Sequence, residues 1–242
     1  MRGVSIAVLI AMLLAPACLA ADVPAGIKDA ADAPKAGRLV MFIGVDISGS
    51  FMSSKNFDNS IEFLAHYIHA HLNGLGGMEI PNALFVGSIG GVTKGEAKTL
   101  FPRKQENPFT DFNAYFAQVA EMVDAKKLIL KPISIVLITD GQPDLGGMSR
   151  SAKFRSIKLK PLENLSRNIT LRVLYTDAVT AKSWRDEVPR KRVKVWTQDA
   201  IVMTEWNSPK TLVPGRSPAE QQRFFSWVKD NVDFQPRLRR VN

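Results

Sequence analysis

Cysteine is almost absent from this sequence of 242 residues, since Cys18 is the only one. A single cysteine cannot close a disulfide within the chain, so packing alone must hold the fold together. The chain also has only three histidines, and it contains no His-Glu-x-x-His, P-loop or Gly-x-Ser-x-Gly pattern. These absences argue against a zinc protease, a P-loop nucleotide-binding protein and a serine hydrolase.

The first 20 residues have the pattern of a secretory signal peptide. Arg2 precedes an apolar stretch from Val4 to Leu14, and small residues follow up to Ala20 and Ala21. The apolar stretch is about half of the roughly 20 residues that a membrane-spanning helix requires. We therefore expect cleavage after Ala20 or Ala21, export to the bacterial periplasm or the extracellular space, and no transmembrane helix in the mature chain.

The remaining chain divides into three parts. Residues 21–37 are rich in Ala, Pro, Asp and Lys without periodicity, which is typical of a flexible tether. Residues 38–235 have the length of one domain, and residues 236–242 form a basic C-terminal tail. An alternative makes Cys18 a lipidated N-terminus, although the preceding Ala-Pro-Ala matches the lipoprotein pattern poorly.

The chain is basic, with 32 Lys and Arg residues against 23 Asp and Glu residues. Two basic runs span Arg190 to Lys194 and Arg237 to Arg240. Such runs are usually solvated surface, yet they also suit an anionic envelope surface or an acidic partner. Nucleic acid is not expected as a partner, because the protein is predicted to be exported and has no zinc-finger or RNP signature.

Short apolar runs alternate with amphipathic stretches along the domain. The short runs indicate strands that are covered on both faces of a sheet. Five strands are predicted, at Leu39 to Val45, Ala83 to Ile89, Ile133 to Thr139, Ile169 to Tyr175 and Ala200 to Met203. The alternation predicts an α/β fold with a doubly wound, mostly parallel sheet and helices on both faces, as in Rossmann-like folds.

Apolar residues at spacings of three and four predict helices with one buried face. One such stripe consists of Phe57, Ile61, Leu64, Ile68 and Leu72, and another of Phe112, Phe116, Val119 and Val123. The last helix is predicted to begin at the capping box Ser217-Pro218-Ala219-Glu220, which has Pro at the first helical position.

The segment Asp46-Ile47-Ser48-Gly49-Ser50 directly follows the first predicted strand. Ligands of a doubly wound sheet bind beyond the carboxyl ends of its strands, so this loop lies where a binding site is expected. Its alternate residues offer one carboxylate and two hydroxyl groups, which are oxygen ligands of the kind that Mg²⁺ prefers. The alternative is a polar turn that caps the following helix.

Three motifs together resemble those of the von Willebrand factor A-type domains, whose metal ion-dependent adhesion site begins with Asp-x-Ser-x-Ser. Asp46, Ser48 and Ser50 match this motif. Thr110 lies just before the second apolar stripe, in the position of the family's metal-binding threonine. Asp140 lies in a Thr-Asp-Gly sequence after the third strand, in the position of the family's remaining acid.

The resemblance covers roughly residues 38–233 and implies a divalent cation, Mg²⁺ or else Mn²⁺ or Ca²⁺. It implies that the serines and the threonine contact the metal directly, while the two acids act through water. Thr93 and Thr99 lie in the same intervening region and are alternatives to Thr110. The implied metal site consists of Asp46, Ser48, Ser50, Thr110 and Asp140.

Three histidines, His66, His69 and His71, lie on the first predicted helix and invite comparison with a zinc site. On a helical wheel they flank the apolar stripe or point away from it, and only His66 and His69 share a face. Zinc would need further ligands, so a zinc site is not expected.

The sequence predicts a binding or assembly module rather than an enzyme. With only one or two carboxylates nearby, the cation would keep residual positive charge, so an Asp or Glu carboxylate of a partner protein could complete its coordination. One alternative is a metal-dependent hydrolase with Asp46 or Ser48 as nucleophile. Another is metal-independent binding to anionic envelope material through the basic surface, which salt would weaken and chelation would not.

Overall fold

The computed structural model of the protein describes residues 37–89, 110–166 and 168–233. The predicted signal peptide, the tether before residue 37, the basic tail and the basic run from Arg237 to Arg240 lie outside the described residues. Thr93 and Thr99 also lie outside them.

The described residues form a five-stranded sheet in which every neighbouring pair of strands is parallel. The strands are β1 (Val40–Asp46), β2 (Ala83–Ile89), β3 (Ile133–Ile138), β4 (Ile169–Thr176) and β5 (Lys194–Asp199), in the order β2-β1-β3-β4-β5. The first four were predicted to within one residue at each end, because each contains an apolar run. β1, β3 and β4 are central strands with mostly buried residues, whereas β2 is an edge strand that is half-buried over most of its length.

Eight α-helices lie in the described residues. They are α1 (Gly49–Met52), α2 (Asn56–Leu72), α3 (Phe112–Ala125), α4 (Arg150–Arg155), α5 (Lys160–Glu163), α6 (Ala178–Asp186), α7 (Ala200–Met203) and α8 (Gln222–Asn231). Short 3₁₀ helices span Leu75–Gly77, Thr204–Asn207 and Pro218–Glu220. Helix and strand alternate as predicted, and the fold is a doubly wound α/β fold of the Rossmann-like kind.

Two apolar layers lie on opposite faces of the sheet. Val40 and Phe42 of β1 face a layer formed with α3, α4, α5 and α6, whereas Met41 and Ile43 face a layer formed with α1, α2, α7 and α8. Alternate residues of a strand point to opposite faces, so the continuous apolar run of β1 serves both layers. This double burial explains how a chain with one cysteine can hold its fold by packing.

The prediction of a fifth strand at Ala200 to Met203 is wrong, because this segment is the helix α7. The Asp199 side chain accepts a hydrogen bond from the Ile201 N–H at 2.7 Å and thereby caps that helix. The fifth strand is instead β5, which is an edge strand with mostly half-buried residues. A half-buried edge strand needs no continuous apolar run, so its sequence gave no strong strand signal.

Two helix predictions need smaller corrections. The stripe on α3 is buried at all four predicted positions, whereas the buried face of α2 is rotated so that Phe63 and Tyr67 are fully buried and Leu72 is 41% exposed. The capping box is present at Ser217, but it caps a 3₁₀ turn, and α8 begins after it at Gln222.

Strand order defines where a ligand can bind. The connection after β1 crosses one face of the sheet through α2, whereas the connection after β3 crosses the opposite face through α4 and α5. The carboxyl ends of β1 and β3 are neighbours, so a crevice opens between them at the point where the direction of winding reverses. No helix in the described part of the chain is long and apolar enough to cross a membrane.

Candidate functional site

The crevice between β1 and β3 brings together polar residues that are far apart in sequence. Asp46 is the last residue of β1, and Thr139 and Asp140 follow β3 directly. Val45 pairs with Ile138 in the sheet, so the residues after this pair leave the two strands side by side. Thr110, just before α3, also reaches this crevice.

The carboxylate of Asp46 is the centre of this cluster, and the residue is fully buried. Its Oδ2 atom accepts hydrogen bonds from the hydroxyl groups of Thr139 at 2.6 Å and Thr110 at 3.2 Å. Its Oδ1 atom accepts a hydrogen bond from the backbone N–H of Ser48 at 2.9 Å. One carboxylate therefore ties together the loop after β1, the segment before α3 and the loop after β3.

Burial raises the pKa of Asp46, while hydrogen bonds from Thr139, Ser48 and Thr110 oppose this rise without cancelling it. No Lys, Arg or His in the described residues forms an ion pair with Asp46. A buried carboxylate without a cationic partner is costly, since hydroxyl and amide donors stabilise the negative charge only in part.

Two serine hydroxyls extend the cluster from the interior towards solvent. Ser48 is buried and Ser50 is exposed, and their Oγ atoms lie 3.2 Å apart. Ser48 occupies the cap position of α1, yet its side chain makes no capping hydrogen bond. Its hydroxyl group faces Ser50 instead, which argues against the interpretation of this motif as a helix-capping turn.

Asp140 provides a second carboxylate at the same edge of the sheet and is half-buried. One of its oxygens accepts a hydrogen bond from the backbone N–H of Gln142 at 3.0 Å. Burial raises the pKa of Asp140, this hydrogen bond opposes the rise, and the negative charges of Asp46 and Asp177 raise the pKa further. The charges of Asp46 and Asp177 therefore disfavour the ionised form of Asp140.

Sequence reasoning gave no role to Thr139 or Asp177. Thr139 links the two motifs, since its hydroxyl donates to Asp46 and accepts from the Gly141 N–H at 2.9 Å. Asp177 follows β4 just as Asp140 follows β3, and it caps α6 by accepting a hydrogen bond from the Thr180 N–H at 2.7 Å. Its position after a strand was the signal that could have identified it.

The loop after β3 depends on Gly141, which has a φ of +77°. Its carbonyl oxygen accepts a hydrogen bond from the indole N–H of the fully buried Trp184 at 2.8 Å. A Cβ atom at this position would lie 2.9 Å from the Trp184 indole nitrogen and from a methyl group of Thr176. Only glycine combines this backbone conformation with this close approach, so Gly141 fixes the position of Asp140.

Thr110 is held from both sides. Asp111 begins α3 by accepting a hydrogen bond from the Ala114 N–H at 2.9 Å. The backbone carbonyl of Thr110 accepts a long hydrogen bond of 3.4 Å from the N–H of Asp144, in the loop after β3. The threonine is buried, with 4% of its surface exposed.

The donor set of this cluster suits a hard cation such as Mg²⁺ or Ca²⁺, because it consists of carboxylate and hydroxyl oxygens. No group of three or more His, Cys, Asp and Glu side chains in the described residues is arranged to hold a metal ion. A cation at this edge would therefore need the hydroxyl groups of Ser48, Ser50 and Thr110 as well as the carboxylates. Asp46, which is buried, and Asp140, which is half-buried, fit that requirement, because a cation would relieve the repulsion between their negative charges.

The three histidines do not form a site in common. His66 packs against the rings of Trp206 and Phe224, and His69 is hydrogen-bonded to Asn73. The expectation that all three histidines lie beside or opposite the apolar face is wrong for His71, which is buried and contacts Asp233.

No protein-family model matches this chain, and no curated protein is significantly similar to it.

Proposed function

We propose that the protein is an exported, von Willebrand factor A-like binding module that holds a divalent cation and binds an acidic group of a partner through it. The proposed ligands, direct or through water, are Asp46, Ser48, Ser50, Thr110 and Asp140. The preferred ion is Mg²⁺, with Mn²⁺ or Ca²⁺ as alternatives. The periplasm or the extracellular space is the proposed location.

The observation that carries this proposal is the buried carboxylate of Asp46, which has no ion-pair partner among the described residues. It lies in the crevice between β1 and β3, where ligands of doubly wound sheets bind. It accepts hydrogen bonds from hydroxyl groups that arrive from two other loops. Burying a carboxylate among neutral donors, without a cationic side chain beside it in the described residues, lowers the stability of the fold. Such a costly arrangement is typical of a functional site.

The bound cation would supply positive charge at the solvent-facing end of the cluster. Asp46 would hold the hydroxyl groups of the surrounding loops in place from below, through the contacts described above. Ser50 is exposed, so its hydroxyl group lies where an incoming partner could approach the cation. An Asp or Glu carboxylate is the partner group that such a hard cation prefers.

Enzymatic hydrolysis is less well supported. In the described residues, no histidine or lysine is hydrogen-bonded to Ser48 or Ser50, so neither serine has the usual base that would activate it. A binding role requires no such base.

The proposal can be tested by thermal unfolding of the exported chain after treatment with a chelator. Adding Mg²⁺, Mn²⁺ or Ca²⁺ should raise Tm, by about 5 to 10 °C at a metal concentration 100-fold above Kd. Ser50→Ala and Asp140→Asn should weaken or abolish this rise.

Matched controls exist in the same loops. Ser53→Ala alters a nearby serine whose hydroxyl is bonded to the Gly49 carbonyl, and Asp144→Asn alters an exposed acid in the loop after β3. Both variants should keep the full response to metal. An unchanged Tm with all three metals, or an equal loss of response in the controls, would refute the proposed site.

A further inference from the structure

The amino ends of the five parallel strands share the edge of the sheet opposite to the candidate site. The chain segments that enter the strands at this edge are strongly basic. Those segments are residues 37–39, 73–82, 126–132, 156–168 and 187–194. Their described residues include ten cationic side chains, namely Arg38, Lys126, Lys127, Lys131, Lys158, Lys160, Arg190, Lys191, Arg192 and Lys194. They include only three acidic ones, Glu79, Glu163 and Glu187. We call this surface the amino edge.

Two exposed apolar residues lie in the middle of the amino edge, just before the central strand β3. Leu130 is 76% exposed and Ile129 is 45% exposed, and the two form what we call the apolar tip. Leu130 has a φ of 70° without being glycine, so its backbone is strained. Lys127 also has a positive φ, but it ends α3 in the usual left-handed conformation, with the Leu128 N–H donating to the Val123 carbonyl at 2.8 Å. Strain that holds apolar side chains in solvent is more typical of a functional surface than of ordinary packing.

Hydrogen bonds connect the apolar tip to the neighbouring basic loops. The Leu130 N–H donates to the carbonyl of Leu165 at 3.0 Å. Close by in sequence, the Glu163 carboxylate accepts hydrogen bonds from the backbone N–H groups of Lys191 and Arg192. The exposed side chains of Lys191 and Arg192 are thus carried on a loop that is fixed relative to the tip.

We propose that the amino edge docks on an anionic phospholipid surface. The apolar tip enters the boundary between headgroups and acyl chains, while the surrounding lysine and arginine side chains contact the lipid phosphates. Apolar residues within a basic surface are the combination that binds anionic membranes, since each component alone gives weak attachment. A soluble polyanion would complement the charge but would leave the apolar tip unexplained.

This orientation would leave the crevice between β1 and β3 facing away from the lipid, because it lies at the opposite edge of the sheet. The docking surface therefore does not depend on the proposed cation site. It would place that site where a partner could reach it from the aqueous side.

Sedimentation with lipid vesicles tests the proposal on the full exported chain. The protein should bind vesicles of phosphatidylcholine mixed with phosphatidylglycerol, should bind pure phosphatidylcholine vesicles much more weakly, and should be released by salt. The double variant Lys191→Ala, Arg192→Ala should bind about 25-fold more weakly, at about fivefold per cation. The double variant Ile129→Ser, Leu130→Ser should bind about tenfold more weakly.

The matched control is the double variant Lys210→Ala, Arg216→Ala. It removes the same amount of charge from exposed positions in the segment between β5 and α8, which does not lead into a strand. This variant should bind anionic vesicles nearly as well as the unaltered protein. All four altered positions at the amino edge are exposed, so Tm should be unchanged and a loss of binding would not reflect unfolding.

Retention on a heparin column separates lipid from other polyanions. The tip variant should be retained like the unaltered protein, because heparin offers charge without an apolar phase. Weaker vesicle binding with unchanged heparin retention would support lipid docking. Vesicle binding that is insensitive to the tip variant, or equally sensitive to the control variant, would overturn the proposal.

Discussion

Two carboxylates with little solvent exposure lie at opposite edges of the same sheet, and they differ in the groups that surround them. Asp233, after α8, accepts hydrogen bonds from the hydroxyl group of Tyr67 at 2.7 Å and from the ring of His71 at 3.0 Å. The guanidinium of Arg172 lies 3.7 Å away. Among the described residues, the hydrogen-bond donors to Asp46, at the other edge, are hydroxyl and backbone N–H groups.

The pKa values of the two acids differ in direction for this reason. Burial alone would raise the pKa of Asp233, but the hydrogen bond from His71 and the charges of Arg172 and His71 lower it below the usual value. Burial raises the pKa of Asp46, and the hydrogen bonds from neutral groups are too weak to reverse that effect. Asp233 has cationic partners within the chain, whereas Asp46 has none among the described residues.

The geometry around His71 favours the charged form of its ring. Its Nδ1 atom lies 2.9 Å from the backbone carbonyl of Glu79, and its Nε2 atom lies 3.0 Å from the carboxylate of Asp233. Both partners are acceptors, so both ring nitrogens carry a proton. Burial alone would lower the pKa of His71, but the hydrogen bond to Asp233 and its charge raise it above the usual value.

The largest expected effect on stability is that of Asp233→Asn. This change removes the negative charge that pairs with Arg172 and that keeps His71 protonated, so both cationic groups lose the carboxylate that stabilises their charge. The free energy of unfolding should fall by about 3 kcal/mol, as is typical when one member of a buried ion pair is removed. Denaturation with urea near pH 6 measures this change.

Asp230→Asn is the matched control for that variant, since Asp230 is an exposed acid on α8 three residues earlier. It should change stability by less than about 0.5 kcal/mol. If the two variants were equally stable, the ion pairs of Asp233 with His71 and Arg172 would not contribute to stability.

The pH dependence of stability gives a second, smaller effect, because changing pH neutralises His71 but leaves Arg172 beside Asp233. The pKa of His71 is raised on folding, so its contribution is complete below about pH 6.5 and is lost as pH rises through the folded pKa. The pKa of Asp233 is lowered on folding, so its contribution is present above about pH 4 and is lost as pH falls through the folded pKa. The network therefore stabilises the fold most between about pH 4 and 6.5.

The measurement is the free energy of unfolding at pH 6 and at pH 8.5, for the unaltered protein and for His71→Gln. His66 titrates in the same range, but burial lowers its pKa, so it contributes with the opposite sign. The difference between the two proteins isolates His71, since His66 is present in both. A parallel pH dependence in both proteins would mean that His71 is not charged in the fold.

The residues around Asp46 could be predicted from the sequence, because they lie in local motifs next to strands and helices. The three pieces of the candidate site each follow or precede a recognisable strand or helix, and carboxyl ends of parallel strands must meet at one edge. The hydrogen bonds from Thr110 and Thr139 to Asp46 do join residues 64 and 93 positions apart. The role of Thr139 was missed, because only the tertiary structure decides which hydroxyl group points at a carboxylate.

The ion pair at the other edge could not be predicted in the same way. His71 and Asp233 are 162 positions apart and belong to different helical segments, with no motif to link them. The hydrophobic pattern of α2 also misplaced the buried face, since it ignored that a histidine can be buried when a carboxylate pairs with it. Polar residues on a buried face are therefore where sequence periodicity fails in this protein.

Asp46→Asn gives the sharpest test of the difference between the two acids, and it is expected to change stability much less than Asp233→Asn. Asparagine keeps an oxygen at the Oδ1 position that accepts the hydrogen bond from the Ser48 N–H, and its amide group at the Oδ2 position can donate to the hydroxyl groups of Thr139 and Thr110 after those hydroxyls rotate. It also removes the cost of burying an unpaired charge. In chelator, we expect the free energy of unfolding to change by less than about 1 kcal/mol, while the rise in Tm with added metal is lost.

Asp→Asn is thus expected to lower stability much more at Asp233 than at Asp46, because the charge of Asp233 is expected to stabilise the fold and that of Asp46 is not. Urea denaturation in chelator, followed by thermal unfolding with and without Mg²⁺, measures both properties of Asp46→Asn on one preparation. A loss as large as that of Asp233→Asn would mean that the charge of Asp46 is already satisfied inside the protein. The reason for expecting a cation at this site would then disappear, since an acid that stabilises the fold without metal needs no external partner.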